Sequence, residues 1–306
     1  MLSIVICSIS AERLARIKEN ISATVGRCEY EIIAIDNNEL HGSITEVYNR
    51  GAGKAKFPYL LFIHEDVIFH TAGWGNIIEK KLAEPDCGVI GFAGSKIKLR
   101  SYSGWYQIYE YTCTLLYQLR GNSLILESAN VPADKDFDEV CVLDGLAMFV
   151  RRDVWQEYRF DDVNLKGFHC YDIDFSLRIA AERKYRNYVC CTPLVMVEHY
   201  SGGTMNSAWY RDTIKMHKTV WKELLPFVTE DVKIDKREIE RLDEKNFNFF
   251  VRRMIKAGYK DKWPIVREFL LHPKMSAAHF RHCLTVLWKC LPNISFPRST
   301  NCHSRR

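Results

Sequence analysis

Short apolar runs alternate with segments of helical hydrophobic spacing through the first third of the chain. Apolar runs that predict strands lie at residues 2–9, 31–35, 59–63 and 87–92. The third run, which follows Pro58, is typical of a strand buried on both faces. Ser10 can cap a helix after the first run, whose apolar residues recur at helical spacing: Leu14, Ile17, Ile21 and Val25. Ser43 and Glu46 have the spacing of a capping box for a second helix. This alternation predicts a mostly parallel sheet with right-handed crossovers, flanked by helices.

The pattern loosens between residues 94 and 138, where aromatic residues crowd together: Trp105, Tyr106, Tyr109, Tyr111 and Tyr117. A β-rich insertion that stacks on a sugar and an ordinary satellite core both fit, and the second is favoured because aromatic residues mostly serve packing. Strands are again predicted at residues 140–150 and 188–197. After about residue 205 the spacing becomes helical and amphipathic, which predicts a helical carboxyl-terminal region.

Composition limits the class of protein. The chain has 306 residues, 47% of them hydrophobic and 26% charged, which is ordinary for a globular protein with a large core. A net charge of +5 does not by itself argue for a nucleic-acid partner. The eleven cysteines include no CxxC pair and lie mostly among apolar residues, where cysteine acts as a small buried hydrophobe. No basic leader opens the sequence and no apolar run reaches the roughly 18 residues of a membrane span, so a cytoplasmic location is expected.

Polar side chains follow the strands at positions that suit ligand binding. His64, Glu65 and Asp66 end the third strand, and carboxylates there suit a hard divalent cation, although Asp66 could simply start a turn. Asp36 ends the second strand, where it can accept hydrogen bonds from a base or ribose. His199 ends a late strand, and its imidazole can complete a metal site begun by Asp66.

Asp172 is the candidate base. It lies in the first turn of a predicted helix, where the helix dipole favours the ionised form. A helix-cap carboxylate, which is a common role, explains the same position. Asp174 and Arg178 have the spacing of a surface ion pair. Arg151 and Arg152 could clamp a diphosphate or lie in a solvated turn. The chain lacks GxGxxG after its first strand and lacks GxxxxGK[ST], which disfavours a dinucleotide-binding or P-loop domain.

Taken together, these motifs resemble the family-2 glycosyltransferases of the GT-A fold, and within them a bacterial subgroup with His-x-Asp-Val at the metal strand. The matching segments span residues 2–205: the opening strand, Asp36, Tyr48-Asn49-Arg50-Gly51, Phe62-Ile63-His64-Glu65-Asp66, Asp144-Gly145, Tyr171-Asp172-Ile173-Asp174-Phe175 and Glu198-His199. The resemblance implies a catalytic domain at residues 1–205, with a nucleotide-sugar half at about 1–93 and an acceptor half at about 94–205. Residues 206–306 form the helical region.

The resemblance also implies a reaction and its residues. It implies inverting transfer of a sugar from a nucleoside-diphosphate sugar, most commonly linked to UDP, to a glycan or lipid-linked hydroxyl. Asp66 and His199 match metal ligands for Mn²⁺ or Mg²⁺, and Asp172 matches the general base. The expected nucleotide-sugar contacts come from Ser8, Ser10, Asp36, His64 and Asp144.

Two positions depart from the family pattern, and they keep a second function open. His64 replaces the first Asp of the Asp-x-Asp signature, and Tyr171 replaces the Glu before the base. These departures allow a catalytically degenerate protein that binds a sugar nucleotide or glycan. A nucleotidyltransferase is disfavoured because no glycine-rich phosphate loop follows the first strand.

The end of the chain is basic. Beyond Glu268 there is no Asp or Glu, and aromatic and apolar residues at helical spacing alternate with basic ones: Lys274, Arg281, Lys289, Arg298, Arg305 and Arg306. A basic amphipathic helix can lie on an anionic membrane, which would place the protein at the inner face of the membrane. A helix docked on the catalytic domain explains the same pattern.

Overall fold

The computed structural model describes residues 1–200, 205–271 and 277–290. The strands in these ranges are β1 (Leu2–Ser8), β2 (Tyr30–Asp36), β3 (Tyr59–His64), β4 (Val67–Phe69), β5 (Cys87–Gly91), β6 (Ala93–Ser95), β7 (Ile97–Lys98), β8 (Thr112–Arg120), β9 (Ser123–Ala129), β10 (Phe137–Val140), β11 (Val142–Leu143), β12 (Ala147–Arg151), β13 (Arg186–Cys190), β14 (Val197–His199) and β15 (Phe227–Val228). The helices are α1 (Ala11–Thr24), α2 (Asn37–Leu40), α3 (Ile44–Lys54), α4 (Trp74–Leu82), α5 (Arg152–Tyr158), α6 (Tyr171–Ala181), α7 (Ser207–Lys218), α8 (Lys236–Lys256), α9 (Trp263–Leu270) and α10 (Ala277–Cys290).

A seven-stranded sheet forms the centre, in the order β10-β13-β5-β12-β3-β1-β2. β1 pairs in parallel with both β2 and β3, and β13 pairs in parallel with β5, whereas β12 and β10 are antiparallel to their neighbours. Five strands therefore share one direction, as predicted. The antiparallel β12 begins opposite Ile63, so the loop before it lies at the carboxyl end of β3.

Alternate residues of the central strands enter two different hydrophobic clusters. Ile4 and Ile6 of β1 belong to one cluster, and Val5 between them belongs to the other. Both faces of the sheet are thus covered, which explains why its strands are continuously apolar in the sequence. Burying each such side chain contributes on the order of 2 kcal/mol.

A second sheet, in the order β11-β6-β8-β14-β4 with β9 beside β8, lies within the same part of the chain. The single late strand predicted at residues 188–197 is wrong, since β13 belongs to the central sheet and β14 to this second one. Residues 191–196 carry the chain from one sheet to the other. This change of sheet pairs His199 of β14 with Val67 of β4, next to Asp66.

The Asp174–Arg178 pair predicted at the surface is instead buried at its acidic end. Asp174 is fully buried, and its carboxylate accepts hydrogen bonds from Arg178 Nε at 2.9 Å and Trp221 Nε1 at 3.0 Å. A buried carboxylate needs such partners because its transfer from water into the protein interior costs free energy that hydrogen bonds must offset. The hydrogen bond from Trp221 therefore ties α6 to the segment after α7.

Contacts divide the chain into two compact units, Met1–Asn246 and Phe247–Arg306. In the second unit, Phe247 packs edge-on against Phe269 with ring centroids 5.2 Å apart. Among the described residues, no helix combines the length and apolarity needed to cross a membrane. The catalytic domain at residues 1–205 and its two halves stay a prediction. The basic residues Lys274, Arg298, Arg305 and Arg306 lie outside the described residues.

Candidate active site

The loop between β1 and α1 is held by Glu65, the middle residue of the polar cluster after β3. Glu65 Oε2 accepts hydrogen bonds from Ser8 Oγ at 2.6 Å and from the backbone N–H groups of Ile9 and Ser10, each at 3.2 Å. Only 8% of the Glu65 surface is exposed. Glu65 thus shapes the loop at the carboxyl end of β1.

His64, Asp66 and His199 converge at this edge of the sheet. One nitrogen or oxygen atom from each lies within 4.8 Å of the others, and His199 Nε2 is 3.7 Å from Asp66 Oδ1. β3 delivers His64, the turn after it delivers Asp66, and β14 delivers His199 through its pairing with β4. Burial and the neighbouring His199 lower the pKa of His64, which keeps its imidazole neutral as metal binding requires. The three donors therefore fit a divalent cation.

Tyr171, the first residue of α6, connects this group to the loop before β12. Its hydroxyl lies 2.6 Å from His64 Nε2 and donates to the Gly145 carbonyl at 3.0 Å. Gly145 is required here because a Cβ at this position would lie 2.1 Å from the Tyr171 hydroxyl oxygen. The close approach holds the Asp144-Gly145 loop against the start of α6.

Asp172 follows directly and is bound to the same loop. Its Oδ2 accepts a hydrogen bond from the Gly145 backbone N–H at 2.9 Å. Burial raises the pKa of Asp172 to about 7, and the nearby carboxylate of Asp144 adds to the rise. The helix dipole was expected to favour the charged form, but burial and a like charge outweigh it. An acid with a pKa near neutrality is suited to accept a proton and release it again.

The residues predicted to contact the nucleotide sugar lie at the same edge of the sheet, but their present hydrogen-bond partners differ. Ser8 pairs with Asp36 in the register of β1 and β2, and the preceding residue of β1, Cys7, pairs with His64 in β3, so the three strand ends are adjacent. Ser8 is committed to Glu65, Ser10 caps α1, and Asp36 accepts from Asn38 N at 2.8 Å while remaining exposed. Their contacts with a nucleotide stay a prediction.

Arg151 lies far from these strand ends. It pairs with Tyr59 at the opposite end of β3, because β12 is antiparallel, and its guanidinium donates to the carbonyls of Glu84 and Pro85. A diphosphate clamp by Arg151 is therefore wrong. The antiparallel direction of β12 could not be read from its apolar pattern.

Sequence reasoning missed three contributors to the site. It assigned no role to Gly145 beyond a family match, and it treated Tyr171 only as a departure from the pattern. It also did not single out Phe168, which is 57% exposed and whose ring centroid lies 5.5 Å from that of His64. An aromatic residue four positions before the candidate base was the available signal.

Comparison with protein families matches residues 3–222 to a model described as a glycosyltransferase like family. The chain belongs to this family. Its membership confirms the predicted glycosyltransferase, and the observed central sheet flanked by helices confirms the predicted α/β fold class. The subgroup defined by His-x-Asp-Val stays a prediction. Comparison with curated proteins gives no match.

Solved structures provide two further similarities. The crystal structure of GalNAc-T7 with UDP, GalNAc and Mn²⁺ has 12% sequence identity and a TM-score of 0.49, covering 85% of this chain and 58% of that chain. The crystal structure of S. aureus TarS 1–349 has 11% identity and a TM-score of 0.48, covering 94% of this chain and 79% of that one. This chain thus spans less than two thirds of the GalNAc-T7 chain.

Proposed function

We propose that this glycosyltransferase is a metal-dependent inverting enzyme. It moves a sugar from a nucleoside-diphosphate sugar, with UDP as the expected carrier, to a hydroxyl group of a glycan or lipid-linked acceptor. The observation that carries the proposal is the juxtaposition of two unlike groups in one site. His64, Asp66 and His199 form a cation-binding group. Hydrogen bonds through Tyr171 and Gly145 connect His64 of this group to Asp172.

The chemistry follows from where charge changes during transfer. The acceptor hydroxyl loses a proton as its oxygen attacks the anomeric carbon, and Asp172 is placed to take that proton. Inversion requires the acceptor and the leaving diphosphate on opposite sides of that carbon. A bound cation supplies electrostatic stabilisation for the leaving diphosphate. Asp172 and the metal group, linked but separate, match these two needs.

The donor set favours Mn²⁺ over Mg²⁺. Mg²⁺ prefers oxygen ligands, whereas imidazole nitrogen binds the later divalent transition metals better. Two of the three donors here are imidazoles, from His64 and His199. A histidine at position 64 therefore shifts the expected preference of the proposed site toward Mn²⁺.

Transfer assays with a panel of nucleotide sugars test the proposal. Wild-type protein with Mn²⁺ should release the nucleoside diphosphate in an acceptor-dependent manner. Asp66→Asn should weaken Mn²⁺-dependent binding of UDP, measured by calorimetry. Asp172→Asn should abolish transfer while UDP binding remains within about threefold of wild type, because a base contributes mainly to the chemical step. Near-normal turnover by Asp172→Asn would overturn the base assignment.

The same assays separate the enzyme from a sugar-nucleotide-binding protein without chemistry. If wild-type protein binds UDP with Mn²⁺ but neither transfers nor hydrolyses any donor in the panel, the non-catalytic function replaces this proposal. The near-neutral pKa of Asp172 supports the enzyme, because a carboxylate used only for binding gains nothing from sitting next to Asp144.

We also propose peripheral contact with an anionic membrane at its cytoplasmic face, through the second compact unit. Residues 247–306 contain twelve Lys and Arg but only two Asp and Glu. On α10, Arg281, Leu284 and Trp288 are three and four residues apart, which places them on one face, and Leu284 and Trp288 are 54% and 78% exposed. Exposed tryptophan and leucine beside basic residues are typical of helices that lie on a membrane.

Vesicle sedimentation tests this contact. Wild-type protein should pellet with vesicles containing phosphatidylglycerol and remain in solution with phosphatidylcholine alone. Trp288→Ser combined with Leu284→Ser should reduce pelleting several-fold. Tyr106→Ser removes an aromatic side chain of 54% exposure from the first unit and serves as the control. Equal pelleting of the two variants would contradict the role of α10.

A further inference from the structure

His64 and Tyr171 come from distant parts of the chain and contact each other in the candidate site. The Tyr171 hydroxyl oxygen lies 2.6 Å from His64 Nε2, although the two residues are 107 positions apart. His64 belongs to the group of possible metal ligands, so this hydrogen bond acts on the ring nitrogen of a candidate ligand.

The direction of this hydrogen bond follows from the third member of the network. A tyrosine hydroxyl has one hydrogen, and a backbone carbonyl can only accept. Tyr171 Oη lies 3.0 Å from the Gly145 carbonyl oxygen, to which it donates. With its one hydrogen directed to this carbonyl, the tyrosine oxygen is left to accept the Nε2–H of His64. The opposite arrangement would take the donor away from the Gly145 carbonyl, which costs free energy because this hydrogen bond is buried.

We infer that Tyr171 is a positioning residue that holds His64 in the Nε2–H tautomer and so presents Nδ1 as the lone-pair nitrogen for the metal. Metal-binding histidines commonly have the second ring nitrogen fixed in this way by a neighbouring group. Here the neighbouring group is a tyrosine that the Gly145 carbonyl orients in turn. The inference rests on the proposed metal site.

Rigid packing around the tyrosine supports a positioning role. The Tyr171 side chain is 97% buried, with its ring centroid 5.7 Å from that of Tyr48 and 6.0 Å from that of Phe160. Because the ring cannot turn away, its hydroxyl group defines a fixed acceptor for His64. Phenylalanine at this position would keep the ring packing and remove only the hydroxyl group.

The first measurement needs neither metal nor substrate. Nitrogen NMR of isotope-labelled histidine in metal-free protein at pH 8 distinguishes protonated from unprotonated ring nitrogens, and loss of signals in His64→Ala assigns this residue. Wild-type protein should show His64 with Nε2 protonated. Tyr171→Phe should lose this preference and populate the Nδ1–H tautomer. A wild-type Nδ1–H tautomer would overturn the inference even if the enzyme transfers sugar normally.

The second measurement is Mn²⁺ affinity by calorimetry, without nucleotide sugar. Tyr171→Phe should weaken Mn²⁺ binding by about 10- to 100-fold, the usual loss when a supporting group is removed. In a His64→Ala background the same substitution should have no further effect, because its only route to the metal is through His64. Tyr158→Phe is the control. Tyr158 lies in the same hydrophobic cluster as Tyr171, and its hydroxyl group donates to Glu182, so loss of that group should leave Mn²⁺ affinity unchanged.

These outcomes distinguish this inference from the proposed function. Failure of all transfer assays, with the tautomer and the Mn²⁺ loss as expected, would remove the proposed reaction and leave Tyr171 as the positioning residue of a metal site. Unchanged Mn²⁺ affinity in a folded Tyr171→Phe protein, or no Mn²⁺ binding by wild type, would overturn the inference. Folding is checked by the melting temperature and by the unchanged signals of the other histidines.

Discussion

With Asp172 as the proposed general base, its raised pKa should make sugar transfer sensitive to pH near neutrality. A general base must be ionised to accept a proton, so kcat/KM should fall as the pH drops through about 7. With an unperturbed aspartate the fall would begin near the ordinary value of 3.8 instead. Replacing Asp144 by Asn separates the two causes, because it removes the neighbouring charge and leaves Asp172 as buried as before.

The size of the effect can be worked out. Burial is the larger cause, so loss of the Asp144 charge should lower the pKa of Asp172 by only about one unit. An asparagine oxygen can still accept the hydrogen bond that Asp144 Oδ1 receives from the Leu146 backbone N–H at 3.0 Å. At pH 6 the ionised fraction of Asp172 should rise from roughly one tenth to one half, so activity relative to the high-pH plateau should rise about fivefold.

The assay is a pH profile of kcat/KM between pH 5 and 9, at saturating Mn²⁺. Asp153→Asn removes an exposed carboxylate from α5 and controls for the change in net charge. The profile of that control should match wild type. A wild-type kcat/KM that stays constant down to pH 5 would refute the reasoning. So would an Asp144→Asn profile whose kcat/KM falls at the same pH as that of wild type.

Three further results are expected. Folding raises the pKa of Asp172, so its contribution to stability is fully present at a pH below its ordinary pKa of 3.8 and is lost as the pH rises through about 7. Asp172→Asn should therefore increase the melting temperature at pH 8 and much less at pH 4. Gly145→Ala should lower the free energy of unfolding in urea by about 1–3 kcal/mol and weaken Mn²⁺ binding, because the new methyl group collides with Tyr171. Gly53→Ala is the control: a Cβ there meets nothing within 4 Å, so neither stability nor Mn²⁺ binding should fall. Glu65→Ala should cost about 2–3 kcal/mol in the same assay, because the Ser8 hydroxyl and two backbone N–H groups lose a charged acceptor; a loss below about 0.5 kcal/mol would contradict the anchoring role.

Local signals determined much of the fold in advance. The cap at Ser10 and the capping box of Ser43 and Glu46 are both formed, and they begin α1 and α3 as predicted. Such caps act within one helical turn, so the sequence contains everything they need. The continuous apolar run at residues 59–63 likewise indicated a strand buried on both faces, and its residues alternate between the two clusters. The short helix α2 after Asp36 was not predicted, since four residues carry too weak a periodic signal.

The residues of the site were recognisable from the sequence, whereas their arrangement was decided by tertiary structure. Strand ends and a family pattern pointed to Asp66, His199 and Asp172, because polar groups that interrupt apolar runs stand out locally. The pKa of Asp172 depends on burial and on the nearby Asp144. The hydrogen bond between His64 and Tyr171 depends on the antiparallel direction of β12, which brings the loop that contains Gly145 to the end of β3. Electrostatic environment and strand direction come from long-range packing, which no local pattern encodes.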